Sequence, residues 1–287
     1  MQKTYKAYAK VNIGLDVIRR REDGYHEVKM IMQTVNLYDN LSIEELPEGN
    51  GISITTNAGF LPTNEDNLIY KAAKLLIDEF DIKGGLKIHL EKNIPVAAGM
   101  AGGSTDAAAT LIGINEIFNL SLSMEELMKR GVKIGADVPY CIMGKTALSE
   151  GIGEVLKPIS GMPQCHILIA KPPIDVSTKY VYENLHANEL KWHPDIDGLV
   201  DSIKKSDLKG IASKMDNVLE TVTVKEYPII EDIKTFMKEN GALNSIMSGS
   251  GPTVFGLFDD EKTAKDAYEG LLKKDYTKQV YLTDLYL

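Results

Sequence analysis

Cysteine is scarce in this chain, with two among 287 residues, Cys141 and Cys165. Neither has C-x-x-C or Cys/His spacing, which excludes a disulfide framework and a zinc site and fits a reducing compartment. Excess positive charge is also missing. The net charge is −9, which argues against a nucleic-acid-binding surface. No apolar run reaches the length of a membrane span, and the opening Met-Gln-Lys-Thr-Tyr-Lys-Ala lacks the apolar core of a signal peptide. The expectation is a cytoplasmic protein without nucleic-acid or membrane partners, long enough for two domains or one large one. Two nucleotide signatures are lacking as well: the lysine of a G-x-x-x-x-G-K-[ST] loop and the spacing of G-x-G-x-x-G.

What the chain does contain is a loop of glycines and small residues running from Pro95 to Ala107, Pro-Val-Ala-Ala-Gly-Met-Ala-Gly-Gly-Ser-Thr-Asp-Ala. A strand carrying Leu86, Ile88 and Leu90 precedes it. An alanine-rich helix with Leu111, Ile112, Ile114, Ile117 and Phe118 follows. Glycines let backbone N–H groups close on an anion, and the first turn of the following helix adds unpaired N–H groups and its dipole. The segment suits phosphate, although a mobile glycine turn would read the same way.

Near the N-terminus, Ala7, Ala9, Val11, Ile13, Leu15 and Val17 alternate with Tyr8, Lys10, Asn12, Gly14 and Asp16. Alternation of that kind puts Lys10 and Asn12 on a solvent face. The small neighbours Ala9 and Gly14 leave room for the other reading, a pocket floor. Asp23-Gly24 marks a hairpin turn, and Tyr25 and His26 just beyond it either cover a core edge or form a platform for a planar ligand. Asp66 is the expected N-cap of a helix carrying Leu68, Ala72, Leu75, Leu76 and Phe80, and Ser123 and Glu126 form a capping box. Asp137, between Gly135-Ala136 and Val138-Pro139, sits at an element junction. Most such aspartates are turn or cap residues, but a general base is also held this way.

From about residue 158 the character changes. A linker at Pro158–Pro163 leads to a strand at His166–Lys171, and short helices are expected through the polar region around Lys191–Gly210. A helix from Tyr227-Pro228 to Gly241, the turn Ser248-Gly-Ser-Gly-Pro252, a strand, a helix and a final strand complete a compact α+β half.

The order Ala9-Lys10-Val-Asn12, the Pro95–Ala107 loop, Gly135-Ala-Asp137-Val-Pro, then Ser248-Gly-Ser-Gly-Pro resembles the small-molecule kinases grouped with galactokinase, homoserine kinase and mevalonate kinase. Within the group, Asp23-Gly-Tyr-His26-Glu and Asp66-Asn67-Leu resemble the branch acting on a cytidyl-diphosphate-linked methylerythritol in non-mevalonate isoprenoid synthesis. The resemblance covers residue 3 to about 260. Met100 and Ala101 stand where leucine and glycine are common, Thr105 where serine is, and Ala101 restricts the loop.

This resemblance implies an α+β two-domain kinase fold. A ribosomal-protein-S5-like N-terminal domain (1–157) would bind ATP, and a ferredoxin-like α/β C-terminal domain (158–287) would lie on the substrate side. It implies Asp137 as general base with Lys10 beside it. ATP would be bound by Pro95, Val96, Ala97, Ala98, Gly99, Met100, Ala101, Gly102, Gly103, Ser104 and Thr105, with Asn67 and Lys92 near the adenosine. Asn12, Tyr25, His26 and Tyr182 would meet the acceptor, Tyr180 competing with Tyr182. Mg²⁺ is expected with ATP, its protein ligands left open between Ser104 and Thr105, and the chain is expected as a monomer or homodimer.

Overall fold

The computed structural model describes residues 2–286. The chain forms two compact units that interleave in sequence. The first takes the N-terminal stretch through Ala9, then Leu37–Val96 and Ala101–Gly144. The second takes Lys10–Asn36, Ala97–Met100 and the chain from Lys145 onward.

Two long strands, β1 (Gln2–Arg20) and β2 (His26–Glu48), contribute to both units. In the first unit, Asn40–Glu48 of β2 pairs antiparallel with β4 (Gly84–Glu91). Strand β3 (Ile52–Thr56) pairs parallel with β4, so the chain between them makes a crossover that carries helix α1 (Leu68–Glu79). Helix α2 (Gly102–Ile117) packs on α1, and α3 (Met124–Gly131) and α4 (Val138–Met143) follow it. Alanines at 72, 73, 107, 108 and 109 line this core, so the helices approach closely over Leu41, Ile43, Leu86 and Ile88. A Cβ on Gly113 would come 2.5 Å from Ile43 Cδ1, so α2 depends on that glycine to reach the sheet. The capping box on α3 forms as expected from Ser123 and Glu126. The α1 N-cap is Asn67 rather than Asp66. Its carboxamide accepts from the Ile69 N–H and donates to the Pro62 carbonyl, and a carboxylate could supply only the first bond.

In the second unit, Met30–Gln33 of β2 pairs with β5 (Thr146–Glu150), and β5 pairs with β6 (Val155–Pro158). Beyond the linker come β7 (His166–Lys171), the short helices α5 (Thr178–Asn184), α6 (Ile196–Lys204), α7 (Leu208–Lys214) and α8 (Glu220–Glu226), and then α9 (Ile229–Glu239). Strands β8 (Asn244–Met247) and β9 (Val254–Phe258), helix α10 (Glu261–Leu272) and β10 (Gln279–Asp284) end the fold. The four-stranded sheet runs β10-β7-β9-β8, antiparallel throughout. With α9 and α10 as its crossovers, this is the ferredoxin-like β-α-β-β-α-β arrangement.

Strand β1 departs from its alternation pattern. Lys10, Asn12 and Asp16 are buried along with Ile13, Leu15 and Val17, so the solvent-face reading of Lys10 and Asn12 does not hold. The reason is a second layer. The Met100 carbonyl bonds Lys10 N–H, and a Cβ on Gly249 would lie 3.5 Å from Asn12 Oδ1. Leu199 and Ile196 of α6 press on Gly14, where a Cβ would lie 2.8 and 2.9 Å from their methyl groups. Among the described residues no helix is long and apolar enough to cross a membrane.

Candidate active site

Helix α2 opens without a side-chain cap. Its N-cap is Ala101, in the left-handed region at φ 57°, and the first intrahelical bond runs from Thr105 N–H to the Ala101 carbonyl. The N–H groups of the first turn, at Gly102, Gly103 and Ser104, are therefore not taken by a capping side chain, the arrangement an anion site requires. Ser104 is half-buried and Thr105 buried. A Cβ on Gly135 would lie 3.9 Å from Ser104 Oγ, so the turn leading to Asp137 reaches the start of α2 within the first unit. Asp137 occupies the N-cap position of α4, is half-buried, and makes no capping bond with its side chain. Its carboxylate is thus held at a helix start without closing it.

The middle of the loop, Ala97–Met100, belongs to the second unit. Lys10 N–H donates to the Met100 carbonyl at 3.2 Å, and Lys10 Nζ donates to Asn12 Oδ1 at 2.7 Å. The Asn12 amide in turn lies 3.2 Å from Met30 Sδ. Gly99, at φ 65°, is pressed against Ser248: a Cβ there would come 2.2 Å from the Ser248 carbonyl oxygen, and Ser248 Oγ donates to the Gly99 carbonyl at 2.9 Å. The two glycine turns thus form one packed structure. Asn217, fully buried, holds the second turn by donating to the carbonyls of Met247 and Gly249, each at 2.8 Å.

On the same unit, the rings of His26 and Tyr182 lie 5.2 Å apart at 42°. His26 Nε2 is buried with no hydrogen-bond partner in the protein, and burial lowers its pKa below the usual histidine value. Tyr25 is 61% exposed on the loop before it. Tyr182, not Tyr180, neighbours His26; Tyr180 is 43% exposed.

The family pattern for the GHMP kinases N terminal domain matches residues 67–145, and that for the GHMP kinases C terminal matches 199–278. The chain is 56% identical to the 4-diphosphocytidyl-2-C-methyl-D-erythritol kinase of Lachnospira eligens, covering 98% of this chain and 97% of that protein. Its counterpart in Lachnoclostridium phytofermentans is 57% identical over 97% of this chain and 95% of its own length. This chain belongs to the 4-diphosphocytidyl-2-C-methyl-D-erythritol kinase family of GHMP kinases. A crystal structure of 4-(cytidine 5′-diphospho)-2C-methyl-D-erythritol kinase superposes with a TM-score of 0.84 at 30% identity, covering 99% of both chains. The Leishmania major mevalonate kinase crystallised with R-mevalonate, 19% identical with a TM-score of 0.78 over 99% of this chain and 96% of its own, shares the fold.

Two further features of this GHMP kinase bear on the loop. Ala101 takes a left-handed backbone in place of glycine, so the loop keeps its turn at a cost in strain. Asp106, one turn into α2, is buried and carries an oxygen with no hydrogen-bond partner. Its other oxygen meets Lys92 Nζ at 3.1 Å, and Lys92 also pairs with buried Asp39. Lys92 is therefore held inside the first unit. Its side chain is 6% exposed, between two carboxylates. The only advance signal was an aspartate directly after the Ser-Thr pair.

Proposed function

We propose that this enzyme transfers the γ-phosphoryl group of ATP to the 2-hydroxyl of 4-diphosphocytidyl-2-C-methyl-D-erythritol, giving the 2-phosphate and ADP in the non-mevalonate route to isoprenoids. The observation that carries the proposal is the α2 start, whose uncapped N–H groups lie beside the turn that presents Asp137. The 56% identical relative supports the choice of acceptor.

The roles follow from the chemistry. A tertiary hydroxyl is a poor nucleophile until its proton leaves, and Asp137 takes that proton as the new O–P bond forms and the β–γ bridge bond breaks. Lys10 supplies positive charge that offsets charge on the oxygens in transfer. Asn12, which accepts from Lys10 Nζ, orients the acceptor. Residues Pro95–Thr105 wrap the triphosphate, with Asn67 and Lys92 on the adenosine side. Mg²⁺ bound with ATP would neutralise phosphate charge, and the half-buried Ser104 hydroxyl is the protein group that would hold it. His26, neutral through burial, offers Nε2 to the cytosine edge while Tyr182 and Tyr25 supply ring faces. In the same proposal, residues 1–157 carry ATP binding and catalysis, and 158–287 lie on the acceptor side.

ADP release measured in parallel with the cytidyl substrate, homoserine and mevalonate tests the assignment. Turnover confined to homoserine or mevalonate refutes the acceptor, and no turnover with any points to a ligand sensor on this fold. Asp137→Ala is expected to bind ATP and lose transfer; near-normal turnover removes Asp137 as the base.

A further inference from the structure

We propose that Asp39, Lys92 and Asp106 form a buried ionic clasp that fixes both ends of the phosphate loop, making Asp39 and Asp106 positioning residues for ATP. The inference deepens the kinase reading and rests on it.

All three residues lie in the first unit, and each serves a different strand or helix. Asp39, on β2, accepts from the N–H groups of Asn93 and Ile94 at 2.5 and 2.8 Å, the residues that lead into the loop at Pro95. Its second oxygen takes Lys92 Nζ. Lys92 then crosses to Asp106 of α2, where the loop ends. The ammonium lies directly under the first turn of that helix. A Cβ on Gly102 would stand 2.8 Å from Lys92 Nζ and 3.3 Å from Ile94 Cγ2, so glycine at 102 is what lets the lysine pass. Asn57 adds a further tie, with its carboxamide bonded to both the N–H and the carbonyl of Lys92. Loop entry and loop exit are therefore joined through one lysine.

The charges argue for positioning rather than direct phosphate binding. A lysine that neutralised ATP would keep its charge available, but this one is matched by two carboxylates with side chains 0% and 4% exposed. Desolvation raises the Asp106 carboxyl above the usual carboxylate range, and the neighbouring Asp39 adds to this against the opposing pull of Lys92. Buried ionic groups of this kind are poor sources of stability and serve better to fix one geometry. Here the geometry fixed is the spacing between Ile94 and the α2 first turn, on which alignment of the phosphates depends.

The test compares Lys92→Met, Asp106→Ala, the double variant and Asp106→Asn on the full-length enzyme. The readouts are KM for ATP, KM for the acceptor, kcat, and binding of a fluorescent ATP analogue. Each single variant is expected to raise KM for ATP by about tenfold or more while the acceptor KM stays within about twofold. The double variant should lose no more than the worse single one, because both break the same clasp. Lys92→Arg should recover part of the loss. Single variants with KM for ATP within about twofold of wild type overturn the clasp, as do fully additive losses. Equal shifts in both KM values overturn it too, since they mark a general structural defect. Should Lys92→Met fail to fold, Asp106→Asn carries the same comparison with side-chain volume kept. Failure of the unmodified enzyme to bind the ATP analogue instead refutes the kinase reading, and the clasp's role falls with it.

Discussion

Replacing Gly99 with alanine probes the junction between the two glycine turns. The residue sits at φ 65°, where an alanine costs about 1 kcal/mol relative to glycine. The added Cβ would stand 2.2 Å from the Ser248 carbonyl oxygen, a separation at which one backbone must move by about 1 Å. Ser248 cannot yield without loss. Its carbonyl accepts from Gly251 N–H at 2.9 Å, and its hydroxyl donates to the Gly99 carbonyl at 2.9 Å. Two hydrogen bonds at about 1 kcal/mol each bring the expected destabilisation to about 3 kcal/mol. The displaced loop should raise KM for ATP by about 100-fold. Gly103→Ala is the control, since its Cβ would find only Leu68 Cδ1 at 3.5 Å; in a helical position it should change stability by less than about 1 kcal/mol. Urea unfolding and steady-state kinetics read both variants. A Gly99→Ala enzyme that loses under about 1 kcal/mol and keeps its KM for ATP would refute the packing argument.

Other consequences follow from single residues. Ala101→Gly relieves a left-handed alanine at φ 57°, and after the entropy of a freer unfolded chain it should stabilise by about 0.5 kcal/mol; a fall in Tm contradicts this. His26→Ala and Tyr182→Ala should raise the acceptor KM far more than the ATP KM, while Tyr180→Ala should leave both near wild type; equal shifts argue against a cytosine platform. Asp106 has a raised pKa, so as pH rises the unfolded state gives up this proton before the folded state does. That contribution to stability is complete at acid pH and is lost as pH rises through about 8. Asp106→Asn should flatten the decline in stability between about pH 4 and pH 8, by at most about 1.4 kcal/mol per pH unit. An unchanged slope across that range would show that Asp106 titrates as an ordinary carboxylate.

Local signals in the sequence reached the loop, the capping box at Ser123 and the compact α+β character of the second half, because each is written in adjacent residues or in a short period. They failed where the cause lies far along the chain. Lys10 and Asn12 alternate like a solvent face, and what meets them comes from far along the chain: the Met100 carbonyl bonds Lys10 N–H, and a Cβ on Gly249 would lie 3.5 Å from Asn12 Oδ1. Asp39 has no motif around it, and Lys92 reads as a solvated strand end until the fold places Asp39 and Asp106 on either side. Asp66 and Asn67 both suit an N-cap, and the choice turned on a carbonyl at Pro62 that only an amide can also bond. The proximity of Tyr182 to His26 comes from the turn of α5 and has no signature in the sequence.

The bond from Ser248 to Gly99 spans 149 residues. During synthesis, the glycine loop leaves the ribosome long before the segment that packs against it. At ordinary elongation rates the interval is roughly seven to thirty seconds. The nascent chain therefore displays its glycine loop without the wall that sets its curvature. Completion of the loop's packing becomes a late event in biogenesis, gated by the arrival of Ser248.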